Sequence, residues 1–241
     1  MSHHIPRFYL KEEDVEVAEG DIIKISQAQM HHAANVLRLR IGDTLKIFNE
    51  KIGEWECAIH DVKKCLLKCT NQKIPPCNEN RTEIIAAFSL INPARMSILL
   101  EKITEIGVTE IIPIVSQYTQ QRKFNKEKAE QILIGASEQS GRLNIPKLHD
   151  VEILEDFLSK YNYECKLIVA DENLKTRKNS ILSMLRSHKY AFLVGPEGGF
   201  SDTERELFEK YDFIEKISLG KNILRSETAA IVLAAACTHV H

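Results

Sequence analysis

The sequence predicts an α/β protein in two parts: a small β-rich domain over residues 1–73, and a larger domain over residues 78–241 built on a mostly parallel sheet. Three observations predict it. Short runs before residue 73 alternate apolar and polar side chains, the period-two pattern of a half-buried strand. Asn71 to Asn80 carries Pro75-Pro76 and few apolar residues, which reads as a linker. From about residue 82 strands alternate with helices, the order that builds a parallel sheet.

In the first part, Thr44–Phe48, Glu54–His60 and Leu66–Thr70 are strands, punctuated by turns at Gly42-Asp43 and Ile52-Gly53. One helix interrupts them, capped by Ser26 and running through Met30 and Val36 to Leu39. A small barrel with an inserted helix fits this pattern. In the second part Glu83–Leu90 is a strand. Asn92 caps the next helix, with Pro93 at its first position, where a missing N–H costs nothing. Met96, Leu99, Leu100, Ile103 and Ile106 recur at helical spacing, and Gly107 ends the helix. Ile111–Val115 is a strand, and Asn125 caps a helix that stops before Gly141. Lys166–Ala170 is a strand, followed by a helix near Ser180–Arg186. Tyr190–Gly195 and Phe213–Leu219 are strands. Ser201 and Glu204 match a capping box, and the alanine-rich last helix covers Ser226–Thr238.

Composition excludes several classes. With 241 residues, 44% hydrophobic and 27% charged, the chain is an ordinary globular one. No apolar run is long enough to span a bilayer, and MSHHIPRFYL lacks the apolar core of a secretory signal, so a cytoplasmic protein is expected. The net charge of −2 is not that of a bulk nucleic-acid binder, which moves attention to local clusters. Gln121-Arg122-Lys123-Phe124-Asn125-Lys126-Glu127-Lys128 is basic, and reads as a solvated loop or a phosphate contact. The six cysteines form no CxxC pair. Cys65 and Cys69 could share a helical face, but no second pair completes a zinc site. His3-His4 and His31-His32 form no HExxH, so no metal is expected.

Chemistry concentrates in two strand-to-helix turns. Gly195-Pro196-Glu197-Gly198-Gly199 follows the strand ending at Val194 and precedes a helix. Its glycines let the backbone turn sharply and approach a ligand closely. Free N–H groups at a helix start suit phosphate, but Glu197 would repel it and suits a ligand with positive charge or hydrogen-bond donors. Leu219-Gly220-Lys221-Asn222-Ile223-Leu224-Arg225-Ser226-Glu227-Thr228 makes the second turn, with Arg225 and Glu227 at the junction. Two such turns about twenty residues apart could lie side by side at one sheet edge, where open α/β sheets bind ligands. No GxGxxG follows an early strand, and no GxxxxGK[ST] or GxSxG occurs, which disfavours dinucleotide, P-loop and α/β-hydrolase sites.

GPEGGFS at 195–201 and LGKNILRSETAA at 219–230 resemble the cofactor-binding knot of the SPOUT RNA methyltransferases. Ile5–Tyr9, HAANVLRLRIGD at 32–43, EKITEIGV at 101–108 and ASEQSGRLNIP at 136–146 extend the likeness, in order, to the branch that methylates uridine N3 in 16S rRNA. The resemblance implies a PUA-like β-barrel over 1–73 and a SPOUT α/β domain with a C-terminal trefoil knot over 78–241, acting as a homodimer. It implies S-adenosyl-L-methionine as methyl donor. Cofactor positions carried over are Leu193, Gly195, Pro196, Gly198, Gly199, Leu219, Gly220, Ile223, Leu224 and Thr228. For catalysis it points to Arg225, with Glu197 or Glu227 as proton acceptor or orienting group. RNA contacts would come from Arg7, Arg38 and Arg40 in the first domain and from Arg122, Lys123 and Arg142 in the second. At one point the chain departs: Val115-Ser116-Gln117-Tyr118-Thr119 lacks the family's arginine. Rival readings are a SPOUT enzyme acting on another rRNA or tRNA base, and a non-catalytic RNA-binding ribosome assembly factor.

Overall fold

The structure is a computed structural model that describes residues 5–11, 16–76, 82–162, 164–174 and 188–238. The helix expected near Ser180–Arg186, and Cys77, His3 and His4, lie outside the described residues. The chain divides into two compact units: residues 1–79 with 137–144, and residues 80–136 with 145–241.

In the first unit β1 (Arg7–Tyr9), β2 (Ile22–Lys24), β3 (Thr44–Asn49), β4 (Gly53–Asp61) and β5 (Leu66–Ile74) form one sheet in the order β1-β3-β4-β5-β2. β1 runs parallel to β3, and the remaining pairs are antiparallel. The alternation seen in the sequence puts Leu45, Ile47, Trp55, Ile59 and Leu67 into one core with Met30 of α1 (Gln27–His31). Ser26 caps α1 in a full capping box with Gln29. The helix does not continue regularly to Leu39. A π-helical turn spans His32–Val36, where the Leu37 N–H reaches back to the His32 carbonyl, and Arg38 adopts a left-handed φ of 59°.

Two expectations change here. β5 runs on to Ile74, which pairs with Glu54, so Asn71–Lys73 are strand and not linker. Gly53 allows this: a Cβ there would overlap the Ile74 carbonyl, at a φ of 74°. Cys65 and Cys69 share no helical face, because Cys65 sits in the turn before β5 and Cys69 on the strand, opposite Cys57 with 3.3 Å between the sulfurs.

The second unit holds a parallel sheet of β6 (Glu83–Ser89), β7 (Glu110–Val115), β8 (Lys147–Leu148), β9 (Glu152–Ile153), β10 (Leu167–Ala170), β11 (Lys189–Val194) and β12 (Ile214–Ile217). The order is β12-β10-β11-β6-β7-β8, with β9 also on β7. Such strands are buried on both faces, which is why runs such as IIAAF at 84–88 replace alternation. On one face, Phe88, Leu99, Leu100, Ile103, Phe192, Leu233 and Ala234 pack together from β6, β11, α2 (Pro93–Ile106) and α6 (Ser226–Thr238). On the other, Ile85, Ile112, Phe157, Phe200 and Phe208 pack with α4 (Leu154–Ser159) and α5 (Asp202–Phe208). The local signals hold at α2, where the Asn92 side chain accepts from the Ala94 N–H and Gly107 terminates at a φ of 124°. They hold at α3 (Lys126–Ser140), where Asn125 accepts from the Lys128 N–H. Among the described residues no helix is long and apolar enough to cross a membrane, and no group of His, Cys, Asp or Glu is placed to hold a metal.

Candidate functional site

Parallel strands share a direction, so their C-terminal ends meet at one sheet edge. β10 lies between β12 and β11. The residues that leave the three strands, Asp171-Glu172, Gly195-Pro196 and Ser218-Leu219, therefore surround one cleft with about 570 Å³ of empty space. Ile223, Leu224, Ser226 and Ala229, at the start of α6, supply another wall, and Lys221 and Asn222 lie on the rim.

The first turn is built by its glycines. Gly199 has a φ of 67°, and a Cβ on it would overlap Glu172 Oε1. A Cβ on Gly195 would press on the Phe200 ring at 3.2 Å, whereas one on Gly198 would meet Tyr118 Cβ at 3.2 Å. The Gly199 N–H donates to the Pro196 carbonyl at 2.9 Å and closes the turn. Ser201 then caps α5 with Glu204 as its reciprocal partner. The buried Glu204 carboxylate also accepts from the Gln117 N–H at 2.7 Å, tying this turn to the loop after β7.

Arg205 of α5 organises the acidic wall. Its Nε lies 3.3 Å from Asp171 Oδ1 and its Nη2 3.1 Å from Glu172 Oε1, while Nη1 donates to the Phe200 carbonyl. One guanidinium thus holds two strand-end loops against each other. Glu197 is exposed, and its Oε1 accepts from the Asn92 N–H at 3.3 Å. Glu227 Oε1 lies 3.9 Å from Arg95 Nε, and its Oε2 is buried with no hydrogen-bond partner. Arg225 is exposed at the head of α6, where its carbonyl accepts from the Ala229 N–H.

Of the residues singled out in the sequence, Gly195, Pro196, Gly199, Leu219, Gly220, Ile223 and Leu224 line the cleft. Leu193 does not; it is wholly buried in the core under α5. Gly198 and Thr228 are exposed and outside the lining. Arg38, Arg40, Arg122 and Lys123 are exposed, and Arg142 Nε donates to Asn144 at 3.1 Å.

Arg7 has a different position from a surface nucleic-acid contact. Its side chain is 8% exposed, donates to Glu54 at 2.6 Å and to the carbonyls of Ser137, Glu138 and Arg142, and lies 4.1 Å over the Phe48 ring. Those bonds make it a structural residue of the first unit.

Asp171, Glu172 and Arg205 were not read from the sequence, and Ser218, Lys221, Asn222 and Ser226 entered it only as members or neighbours of the second turn. A signal was present for the first two: they follow LIVA at 167–170 as Gly195 follows FLV, and a polar pair directly after a buried strand sits at the ligand edge.

A family model described as an RNA methyltransferase domain matches residues 78–238, and one described as an RNA methyltransferase PUA domain matches residues 19–69. The chain is 35% identical to the ribosomal RNA small subunit methyltransferase E of Rickettsia conorii over 219 residues, covering 89% of this chain and 88% of the relative. It is also similar to the crystal structure of a ribosomal RNA small subunit methyltransferase E from Neisseria gonorrhoeae bound to S-adenosyl methionine. There the TM-score is 0.80, with 28% identity over 97% of this chain and 96% of that one. A putative methyltransferase from Legionella pneumophila in complex with the same cofactor gives a TM-score of 0.82, with 29% identity over 98% and 97% of the two chains.

Proposed function

The chain belongs to the RNA methyltransferase family, and from that premise we propose that it methylates N3 of a uridine in 16S rRNA of the small ribosomal subunit, with S-adenosyl-L-methionine as donor. The observation that carries this reading is the cleft where β10, β11 and β12 end, framed by the Gly195–Gly199 and Leu219–Leu224 turns. Support also comes from the small-subunit methyltransferase E relatives and from neighbours solved with the cofactor.

The residues present fit that cofactor. Leu219, Ile223, Leu224 and Ala229 offer an apolar wall for the adenine, and Asp171 and Glu172 offer acceptors for hydroxyl and ammonium groups. The bare Cα of Gly199 leaves the turn close to the Glu172 carboxylate. When bound, the cofactor supplies an electrophilic methyl on a positively charged sulfur.

The remaining demand falls on the chain. Uracil N3 carries a proton and is a poor nucleophile until it leaves. The anion left behind spreads onto O2 and O4, where a fixed positive charge stabilises it. In this reading Arg225 supplies that charge, and Glu227 or Glu197 accepts the proton. The target base must leave its stack to bring N3 to the methyl donor. The domains at 1–73 and 78–241, the knot, the homodimer and the cytoplasmic setting belong to the same reading, with RNA contacts from Arg38, Arg40, Arg122, Lys123 and Arg142.

The test is calorimetric titration with S-adenosylmethionine, followed by methyl transfer to small ribosomal subunits with the product nucleoside identified. Binding with 3-methyluridine as product is expected. A different methylated nucleoside would overturn the substrate, and no binding would overturn the enzyme.

A further inference from the structure

A second cleft opens in the same unit, between the start of α2 and the segment that leads into α3, with about 870 Å³ of empty space. Its floor is apolar: Leu90, Met96, Leu100 and Ile132, with Phe124 on the wall. Its rim is basic and amide-bearing: Lys123, Lys128, Gln121 and Asn125. Among the described residues no carboxylate lines it.

The two clefts are joined through one short connection. Leu90 and Ile91 follow directly from β6, which lies beside β11 in the sheet. The loop after β11 carries Glu197, whose carboxylate accepts from the Asn92 N–H at 3.3 Å. Asn92 caps α2, and Pro93, the first residue of that helix, lines the second cleft. A flexible polymer with one unit at the strand ends has this opening beside the adjoining strand in which to seat another.

Charge and shape say which polymer. Arg122, Lys123, Lys126 and Lys128 gather in a segment with one carboxylate, Glu127, in a chain whose net charge is −2. Lys126 is engaged by Asp150 at 2.6 Å, whereas Arg122, Lys123 and Lys128 are exposed. A positive rim over an apolar, aromatic-walled floor is the arrangement that holds single-stranded nucleic acid: cations track the phosphates and the aromatic face takes a base.

We infer that this cleft is a second base-binding subsite, which takes the unstacked base of a nucleotide flanking the methylated one, with Phe124 against the base and Lys123 and Lys128 on its phosphates. The inference rests on the function proposed above. The subsite holds the RNA strand in register, so the reaction cleft receives one particular base and not its neighbour. Phosphate contacts alone would position the strand without reading any base.

Fluorescence anisotropy with two probes tests it: an oligocytidylate of about twelve nucleotides and an abasic strand of equal charge. The cytidylate lacks the proposed target base, and filling the second cleft assigns the preference to it. Ser97→Trp fills the cleft from α2; the Ser97 hydroxyl bonds only its own helix, at Pro93, and lies outside the apolar core. The wild-type chain should bind the cytidylate about tenfold more tightly than the abasic strand, a preference of the size that base stacking gives. In Ser97→Trp that preference should vanish, with S-adenosylmethionine affinity by calorimetry unchanged. Lys128→Glu should weaken both probes alike. Equal binding of both probes by the wild type, or an undiminished preference in Ser97→Trp, would overturn the subsite. So would a change of oligomeric state in Ser97→Trp by sedimentation, which would mark the cleft as a seat for a second copy. Failure of the wild type to bind S-adenosylmethionine would instead strike the proposed function, while the RNA probes still report on the cleft.

Discussion

The Glu172 carboxylate occupies the space beside Gly199 that a side chain at 199 would need. Gly199 holds a φ of 67°, and an added Cβ would overlap Glu172 Oε1. Glu172 is held there by Arg205 at 3.1 Å. Backbone conformation, an acidic side chain and a guanidinium from α5 thus meet at one point of the cleft wall. Any change at one of the three is felt by the others.

Gly199→Ala tests the contact from the backbone side. An L side chain in the left-handed region costs roughly 1–2 kcal/mol, before Glu172 is displaced. The expected result is at least about a tenfold loss of S-adenosylmethionine affinity by calorimetry, a change worth about 1.4 kcal/mol. Gly198→Val should have the smaller effect, because that Cβ points at Tyr118 and away from the cleft lining.

Arg205→Ala tests it from the other side. The Asp171 side chain is 3% exposed, and removing its partner leaves a buried carboxylate uncompensated, which costs about 3 kcal/mol. A lowered melting temperature and weaker cofactor binding are expected together. Arg205→Lys should recover only part of both, because an ammonium cannot fork between Asp171, Glu172 and the Phe200 carbonyl. Full recovery by lysine would show that charge alone is needed.

These two predictions mark where the sequence was legible. The caps of α2 and α5 were, because Asn92-Pro93 and Ser201–Glu204 act within one helical turn. The glycine turns after β11 and β12 were, because backbone freedom is a property of the residue itself. Asp171 and Glu172 were missed since their place depends on β10 lying between β11 and β12, a strand order that no local pattern encodes. The strand character of Asn71–Lys73 comes from pairing with β4, although composition there favours a linker. Arg7 looked like a surface cation for the same reason: its partners Glu54, Ser137 and Glu138 are distant in sequence. Gly198 and Gly199 look equivalent in the chain, yet only Gly199 takes a positive φ and joins the cleft.

Glu54 gives the first unit an acid-sensitive joint. Burial alone would raise its pKa, but hydrogen bonds from Lys46 and Arg7, both at 2.6 Å, outweigh it and hold the carboxyl below the ordinary range. A depressed carboxyl contributes stability that is fully present above its unfolded pKa and is lost as the pH falls through the folded value. Unfolding by urea should therefore become easier below about pH 4, the ordinary carboxylate value. Glu138 works in the opposite sense, since burial, only partly offset by the Tyr9 N–H, raises its pKa. Glu54→Gln should lower stability near neutrality by about 3 kcal/mol and flatten the acid dependence. An unchanged acid profile in that variant would assign the sensitivity to other carboxyls.

Arg225→Ala isolates the charge proposed for the uracil anion. The side chain is exposed, so its removal leaves the core intact and melting should not change. Methyl transfer to small subunits should fall about a hundredfold or more, the usual loss of a group that stabilises developing charge. Cofactor affinity should be retained. Wild-type turnover would remove Arg225 from the reaction.

Glu227 and Glu197 compete for the proton, and their surroundings differ in a way that experiment can use. Glu197 is exposed and receives a backbone N–H from Asn92, so its oxygen already has a positioning task at the α2 cap. Glu227 faces Arg95 with one oxygen, while the other is buried and unbonded. A buried acceptor without a donor is costly unless something supplies a proton there, and Ser226 and Ala229 on either side of it line the cleft. Glu227→Gln keeps the shape and removes the base. Methyl transfer should drop by about a hundredfold or more, within the range for a general base, and what activity remains should rise with pH, as solvent base takes the N3 proton instead. Glu197→Gln should lose much less activity and show no such recovery at higher pH. If the large loss and the recovery at higher pH appear in Glu197→Gln and not in Glu227→Gln, the roles are reversed, and Glu227 serves to orient Arg95.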